Sequence, residues 1–159
     1  MVRLDGLPDG ALEAASRVRA AGGSPCRLGV VLGTGLGRLV ERLEEPVVLP
    51  MAASAWLPVP TATGHAGRIA SGRVAGVPVV MLEGRVHAYE GFEDRVIARG
   101  AWLLAALGAS TLLLTNASGV LRGDMAPGEL LVVDDHLDFV RGRGSAAIAA
   151  APARPTYCP

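Results

Sequence analysis

The sequence predicts an α/β fold, because short apolar strands run directly into glycine-rich or polar loops and helical patterns lie between them. The strands cover residues 27–32, 77–82 and 110–115, and the helical spacing covers residues 36–43 and 94–107. Ligands of open α/β sheets bind beyond the carboxyl ends of the strands. We therefore expect the three loops to meet at one edge of a sheet and to form a ligand site there.

Composition excludes several classes of protein. The 159 residues suffice for one domain with a hydrophobic core. The 15 basic side chains balance 15 acidic ones, so the sequence lacks the excess of positive charge that is typical of nucleic-acid-binding proteins. Cys26 and Cys158 form no metal or redox motif, and isolated thiols indicate a reducing compartment. No apolar run reaches the length of a membrane span, and the start does not resemble a signal peptide. We expect a soluble, cytoplasmic protein without a membrane partner.

The amino-terminal third predicts helix, strand, glycine loop and helix. Asp9 is expected to cap the first helix, which Gly22 ends, and the strand at 27–32 should be buried on both faces. The loop at 33–37 follows, and a second helix is expected from Leu36 until Pro46 closes it. The four prolines between residues 46 and 60 predict an irregular segment.

The glycine loop is suited to an anion, because glycines let the backbone approach and its free N–H groups point outward. Thr34 adds a hydroxyl donor. Arg38 stands where a dinucleotide fingerprint needs glycine, and the lysine of a triphosphate loop is absent, so the pattern favours inorganic phosphate or another small anion. The alternative is a loop that needs glycine only for tight helix–strand packing.

A hairpin carries the chain into the most polar stretch. Strands at 69–74 and 77–82 flank a turn at Ala75-Gly76. His65 lies between glycines in a loop just before the hairpin. Such a loop is suited to cover a ligand. The alternative is an exposed histidine without a functional role.

Four polar side chains follow the break at Gly84. Arg85 offers a planar fork of donors to an oxyanion, and His87 can donate to an anion or shuttle a proton. Glu90 is expected to orient the His87 imidazole and keep it charged. The alternative for this stretch is a solvated turn.

The remaining chain predicts three further elements. Asp94 should cap a helix at 94–107, and the strand at 110–115 should be buried and end in a loop of small residues at 116–119. Another strand is expected at 129–133, before Asp134-Asp135-His136. Residues 140–159 have low complexity and predict an irregular tail.

Several motifs together resemble the trimeric, low-molecular-mass purine nucleoside phosphorylases. Their order and spacing also match that family, from about residue 27 to residue 139. The motifs are VLGTGLG (31–37), GHAGR (64–68), EGRVHAYEG (83–91), TNASG (115–119) and GELLVVDDH (128–136).

The resemblance implies a three-layer α/β domain with a central mixed sheet, of the nucleoside phosphorylase type, in a homotrimer. It implies a purine-nucleoside phosphorylase, a pentosyltransferase of purine salvage. Such an enzyme converts nucleosides such as inosine or guanosine, or their deoxy forms, to the free base and (deoxy)ribose 1-phosphate. Inorganic phosphate is the co-substrate, and no metal or other cofactor is expected.

Site residues also follow from the resemblance. Tyr89 would lie by the ribose, Ser118 and Gly119 would line the purine, and Glu90 would pair with His87 as the catalytic groups. Thr34 replaces the usual serine and keeps its hydroxyl, whereas Ser118 replaces the usual alanine. The phosphate would be held by Thr34, His65, Arg85, His87 and the main-chain N–H of Ala117.

Chains of the family continue beyond this sequence, and their later half supplies the purine-reading residues. Residues 1–159 are therefore expected to form a single domain that is incomplete at its C-terminus and has little activity by itself. Two alternatives stay open: a non-catalytic anion- or nucleoside-binding paralogue, and a methylthioadenosine phosphorylase. The HAYEG stretch (87–91) favours the purine nucleoside enzyme, but the preferred nucleoside stays open.

Overall fold

A computed structural model describes residues 6–62 and 64–135. The chain divides into two compact units, residues 1–117 and 118–159, and the first contains the elements that follow. The helices are α1 (Asp9–Ala20), α2 (Asp94–Ile97) and α3 (Arg99–Ala106), and 3₁₀ turns cover Gly37–Arg42, Met51–Ser54 and Ala88–Glu90. The strands are β1 (Leu28–Leu32), β2 (Glu44–Pro50), β3 (Arg68–Val74), β4 (Val77–Glu83) and β5 (Thr111–Leu114).

The five strands form one mixed sheet in the order β2-β3-β4-β1-β5. β4 lies in the centre, and β1 beside it pairs in parallel with both β4 and β5, whereas β2, β3 and β4 pair antiparallel. The predicted α/β fold with a central mixed sheet is confirmed.

Apolar side chains cover both faces of the sheet. Successive residues of β1 point to opposite faces, so Val31 joins the core under α1 and α3 while Val30 and Leu32 join the core on the other face. Helix α1 contributes mainly alanines to the first core, and these let the helix approach the sheet and α3 closely. Its buried residues are Ala11, Ala14, Ala15 and Val18.

The hairpin between β3 and β4 has the predicted two-residue turn. Ala75 and Gly76 both have positive φ, 48° and 76°, which is the conformation of a type I′ turn. Gly22 and Gly108 also have positive φ and follow the ends of α1 and α3, as predicted.

The segment after the glycine loop differs from the prediction. The expected helix is only the 3₁₀ turn Gly37–Arg42. Strand β2 begins at Glu44, before the predicted end of that helix, and continues to Pro50 in the segment that was expected to be irregular. Prolines are tolerated in β2 because it is an edge strand. Pro46 also lies where the pairing register shifts between Glu44 and Val47, so no ladder bond is lost there.

Two predictions about apolar segments were wrong. β5 is a strand but is not buried, because it lies at the edge of the sheet and leaves Leu113 and Leu114 50% and 62% exposed. Residues 129–133 form no strand among the described residues, and a strand needs a neighbour with which to form its ladder. Leu130 and Val132 are almost fully exposed there.

Helix starts also differ. The predicted N-caps are Asp9 and Asp94, but the structure has Pro8 and Glu93 at these positions. Both aspartates lie in the first turn of their helices, where a negative charge interacts favourably with the helix dipole. The predicted helix at 94–107 is interrupted at Ala98 into α2 and α3.

The predicted tail at 140–159 and His136 lie outside the described residues. Within the described part of the chain, no helix is long and apolar enough to cross a bilayer.

Candidate functional site

The carboxyl ends of β1, β4 and β5 lie side by side, as the sequence predicts. In the register of the sheet Leu32 pairs with Glu83, and Val31 pairs with Leu114. The loops that begin at Gly33, Gly84 and Thr115 therefore leave the same edge of the sheet.

The loops after β1 and β5 are in direct contact. Gly33 N donates to Thr115 Oγ1 at 2.9 Å, and Thr115 Oγ1 donates to the carbonyl of Val31 at 3.1 Å. A Cβ at Gly33 would lie 2.6 Å from the carbonyl oxygen of Thr115, so only glycine fits. Close packing thus explains Gly33, which was one of the two interpretations of this loop.

Gly35 is explained by its backbone conformation rather than by close packing. Its φ is 85°, a region that other residues rarely adopt, and no atom of residues 6–62 and 64–135 lies within 4 Å of the position of a Cβ. The middle of the loop therefore faces open space. Thr34 beside it is exposed, and its Cγ2 would be 3.8 Å from a Cβ at Gly64, so the loop that carries His65 adjoins the glycine loop.

His65 packs on the break after β4. Gly84 has a φ of 103°, and a Cβ there would lie 2.4 Å from the Cβ of His65. Nδ1 of His65 lies 2.8 Å from the carbonyl oxygen of Arg85, so this nitrogen carries a proton and donates. The N–H of Arg85, 3.3 Å from the same nitrogen, does not donate to it in that tautomer.

Arg85 connects this histidine with the end of β5. Its Nη1 donates to the carbonyl of Thr115 at 2.7 Å, which leaves further N–H groups of the fork for an anion. The guanidinium also borders a cavity of about 370 Å³ between the sheet and the helices α2 and α3, lined largely by apolar side chains. Burial lowers the pKa of Arg85 from its ordinary value. Ala117, the predicted main-chain donor, follows Thr115 by two residues and is exposed.

The rings of His65, His87 and Tyr89 stack one after another. The His65 and His87 ring centroids are 5.3 Å apart, and the His87 and Tyr89 centroids are 4.9 Å apart with the planes only 11° from parallel. Tyr89 is 76% exposed, so one face of the group meets solvent.

The surroundings of His87 favour its neutral form. Burial lowers its pKa below the ordinary 6.5, and repulsion by Arg85 and His65 lowers it further. Glu90 by itself raises this pKa, in favour of the charged imidazole, but the other effects outweigh it. The catalytic role of Glu90 stays a prediction. The main-chain N–H of Glu90 donates to the carbonyl of His87 at 3.0 Å, within the 3₁₀ turn.

Glu90 contacts the main chain of His87 instead of the predicted imidazole. Its Oε1 accepts from His87 N at 2.7 Å, and its Oε2 accepts from the N and Oγ1 of Thr61 at 2.9 and 2.6 Å. These hydrogen bonds, that of the Thr61 hydroxyl first, lower the pKa of Glu90. Thr61 was not identified from the sequence, since it lies 29 positions from its partner and belongs to no motif.

Glu83 was not identified either. Its side chain is only 3% exposed at the end of β4, and its Oε2 accepts from Arg68 Nη2 at 2.7 Å. Its Oε1 is buried without a hydrogen-bond partner in the described part of the chain. Glutamate is usually a surface residue, so the sequence alone does not indicate that Glu83 is buried.

The predicted base-binding residues belong to the second unit. Ser118 and Gly119 are its first two residues, and both are exposed. Their role stays a prediction. No group of three or more His, Cys, Asp or Glu side chains in residues 6–62 and 64–135 is placed to hold a metal ion.

A family model described as the phosphorylase superfamily matches residues 27–159. The chain belongs to this superfamily. Among its superfamily relatives, purine nucleoside phosphorylase 1 of Bacillus subtilis is 36% identical over 114 residues, which cover 72% of this chain and 42% of the relative. The Mycobacterium tuberculosis purine nucleoside phosphorylase is 40% identical over 111 residues, 69% of this chain and 41% of the relative.

Solved superfamily structures show the same fold. The purine nucleoside phosphorylase of Schistosoma mansoni in complex with acetate superposes with a TM-score of 0.64 at 26% identity, covering 70% of this chain and 41% of that one. The predicted resemblance to purine nucleoside phosphorylases is confirmed. The chain spans less than half the length of these superfamily relatives.

Proposed function

We propose that the polypeptide with this sequence is a purine nucleoside phosphorylase whose phosphate binds where the loops after β1, β4 and β5 meet. The observation that supports this most strongly is a continuous set of contacts among the predicted phosphate residues. Thr34 adjoins the His65 loop, His65 bonds the main chain of Arg85, and Arg85 bonds Thr115. His87 stacks on His65. Each residue has an ordinary structural explanation by itself, but the proximity of all four supports a common phosphate site.

The proposed reaction needs mainly positioning and electrostatics. The bond between the sugar C1′ and the purine nitrogen breaks, and a phosphate oxygen forms the new bond to C1′. The purine leaves with the electron pair and takes up a proton. Phosphate fixed below the sugar both attacks and stabilises the oxocarbenium-like charge on the ribosyl group.

Arg85 and His87 contribute different kinds of donor to the phosphate site. The guanidinium of Arg85 supplies positive charge and parallel N–H groups. The neutral imidazole of His87 keeps one ring N–H, which can donate to a phosphate oxygen.

Three finer assignments accompany this proposal. Tyr89 contacts the ribose, which its exposure and its stacking on His87 support. Ser118 and Gly119 line the purine, as the family resemblance implies. A homotrimer follows from the same resemblance, and the balanced charge and isolated cysteines support a cytoplasmic location.

Calorimetric titration of the 159-residue chain with inorganic phosphate tests the site. Arg85→Met should weaken phosphate binding about tenfold to a hundredfold, because a charge-assisted hydrogen bond contributes about 1.5–3 kcal/mol. Arg38→Met is the matched control, because it removes the same charge from a side chain that is 89% exposed and pairs with the exposed Glu41. Its phosphate affinity should change less than about twofold, because exposed pairs contribute little. Equal affinities for the two variants would contradict the proposed site.

A second measurement addresses catalysis. Release of base from inosine, guanosine or methylthioadenosine is followed with and without phosphate, using sensitive detection because the sequence predicts weak turnover. Base release that requires phosphate and that Arg85→Met abolishes would support a phosphorylase and identify its substrate class. Phosphate binding at this site with no base release from any of the three would instead favour the non-catalytic binding paralogue.

A further inference from the structure

Glu90 connects two segments of the site that are remote in sequence. One carboxylate oxygen accepts two hydrogen bonds from Thr61, and the other accepts one from the main chain of His87. Thr61 lies four residues before His65, whereas Glu90 ends the 3₁₀ turn that His87 caps. The carboxylate therefore joins the segment that carries one histidine to the turn that carries the other.

We propose that Thr61 is a positioning residue for the phosphate site: through Glu90 it sets the spacing between the His65 loop and the His87 turn. This inference rests on the proposed phosphate function. Thr61 itself does not bind the anion and acts only through the residues that it holds.

Thr61 is close to His65 along the chain. His65 N donates to the carbonyl of Ala62, the residue after Thr61, at 3.2 Å. We expect a displacement of Thr61 to move His65 through this hydrogen bond. The 2.8 Å bond from His65 to Arg85 and the 5.3 Å separation from His87 would then change.

The path from Glu90 to His87 is equally direct. The Glu90 carboxylate accepts from the His87 N–H at 2.7 Å, and the Glu90 N–H donates to the His87 carbonyl at 3.0 Å, so the two residues fix each other. All three donors to the carboxylate are neutral groups, two N–H and one O–H. The contact therefore depends on the geometry of these donors rather than on a cation.

The side-chain donor of Thr61 can be removed without changing its shape. Thr61→Val keeps the branched side chain and the main-chain N–H but loses the hydroxyl, while Thr61→Ser keeps the hydroxyl. Thr111→Val is the matched control, because Thr111 is an exposed threonine of the edge strand β5. Thermal unfolding of each variant verifies that it is folded.

Three readouts separate positioning from a general structural role. They are the titration of the Glu90 carboxyl carbon by NMR, the distance-dependent NMR contacts between the His65 and His87 ring protons, and the phosphate dissociation constant. Thr61→Val should raise the pKa of Glu90 toward its ordinary 4.5, weaken the contacts between the rings, and raise the phosphate dissociation constant about threefold to tenfold. Thr61→Ser and Thr111→Val should resemble the wild type in all three.

Each contrary outcome has a distinct meaning. An unchanged pKa of Glu90 in Thr61→Val would show that the contact is absent and would overturn the inference. A raised pKa with unchanged ring contacts and phosphate affinity would show a contact that positions nothing, and would overturn it as well. If the wild-type chain bound no phosphate, the proposed function would fail. The ring contacts would then still decide whether Thr61 sets the histidine spacing.

Discussion

Gly84 should be the glycine whose replacement disturbs the site most. In Gly84→Ala the new Cβ would be 2.4 Å from the Cβ of His65, 2.7 Å from its Cγ and 3.0 Å from its Cα. Ordinary carbon–carbon contacts begin at about 3.5 Å, so the His65 backbone must move by roughly 1 Å. That shift takes its Nδ1 from 2.8 Å to beyond hydrogen-bonding distance of the Arg85 carbonyl.

The expected cost combines three effects. A non-glycine residue at a φ of 103° costs about 1–3 kcal/mol, and forcing atoms into a filled space costs about 1–3 kcal/mol. The lost hydrogen bond adds about 1 kcal/mol. Because relaxation of the His65 loop relieves part of the collision, we expect Gly84→Ala to lower the free energy of unfolding by about 3 kcal/mol. Phosphate affinity should fall about tenfold.

Gly76→Ala is the matched control, since Gly76 has a φ of 76° in the hairpin turn and nothing lies within 4 Å of its Cβ position. It should lose only about 1–2 kcal/mol, from backbone strain alone, with unchanged phosphate affinity. Urea unfolding followed by the fluorescence of Trp56 and Trp102 measures both variants. Losses that agree within about 0.5 kcal/mol would refute the reasoning, because the collision with His65 would then contribute nothing.

Two further predictions concern titratable groups. The folded state lowers the pKa of His87, so the unfolded chain binds its proton more readily, and the free energy of unfolding should fall as pH drops below 6.5. His87→Gln should reduce this slope between pH 6.5 and 4.5, a range above the ordinary pKa of Glu90. An identical slope in the variant would contradict the lowered pKa of His87. Burial raises the pKa of Cys26 to about 11, so in a Cys158→Ser background a thiol reagent at pH 8 should label the chain only after urea unfolds it. Rapid labelling of the native protein would show that the thiol is accessible.

The sequence alone determined the features that local patterns encode. The hairpin followed from two alternating runs around Ala75-Gly76, and strand β1 followed from an apolar run that ends at a glycine loop. The family followed from five motifs in order, each of which is weak by itself. Such features depend on neighbours within a few positions, where the periodicity of side chains and the freedom of glycine act directly.

The tertiary structure alone decided which neighbours those elements have. β2 forms despite its prolines because it lies at an edge, and β5 stays exposed for the same reason. The bond between Thr61 and Glu90, the burial of Glu83 and the lowered pKa of His87 all arise between residues that the chain path brings together. Desolvation and hydrogen bonding depend on how close two residues lie in space. Thr61 and Glu90 are 29 positions apart in the sequence, and that number does not reveal their distance in the folded chain.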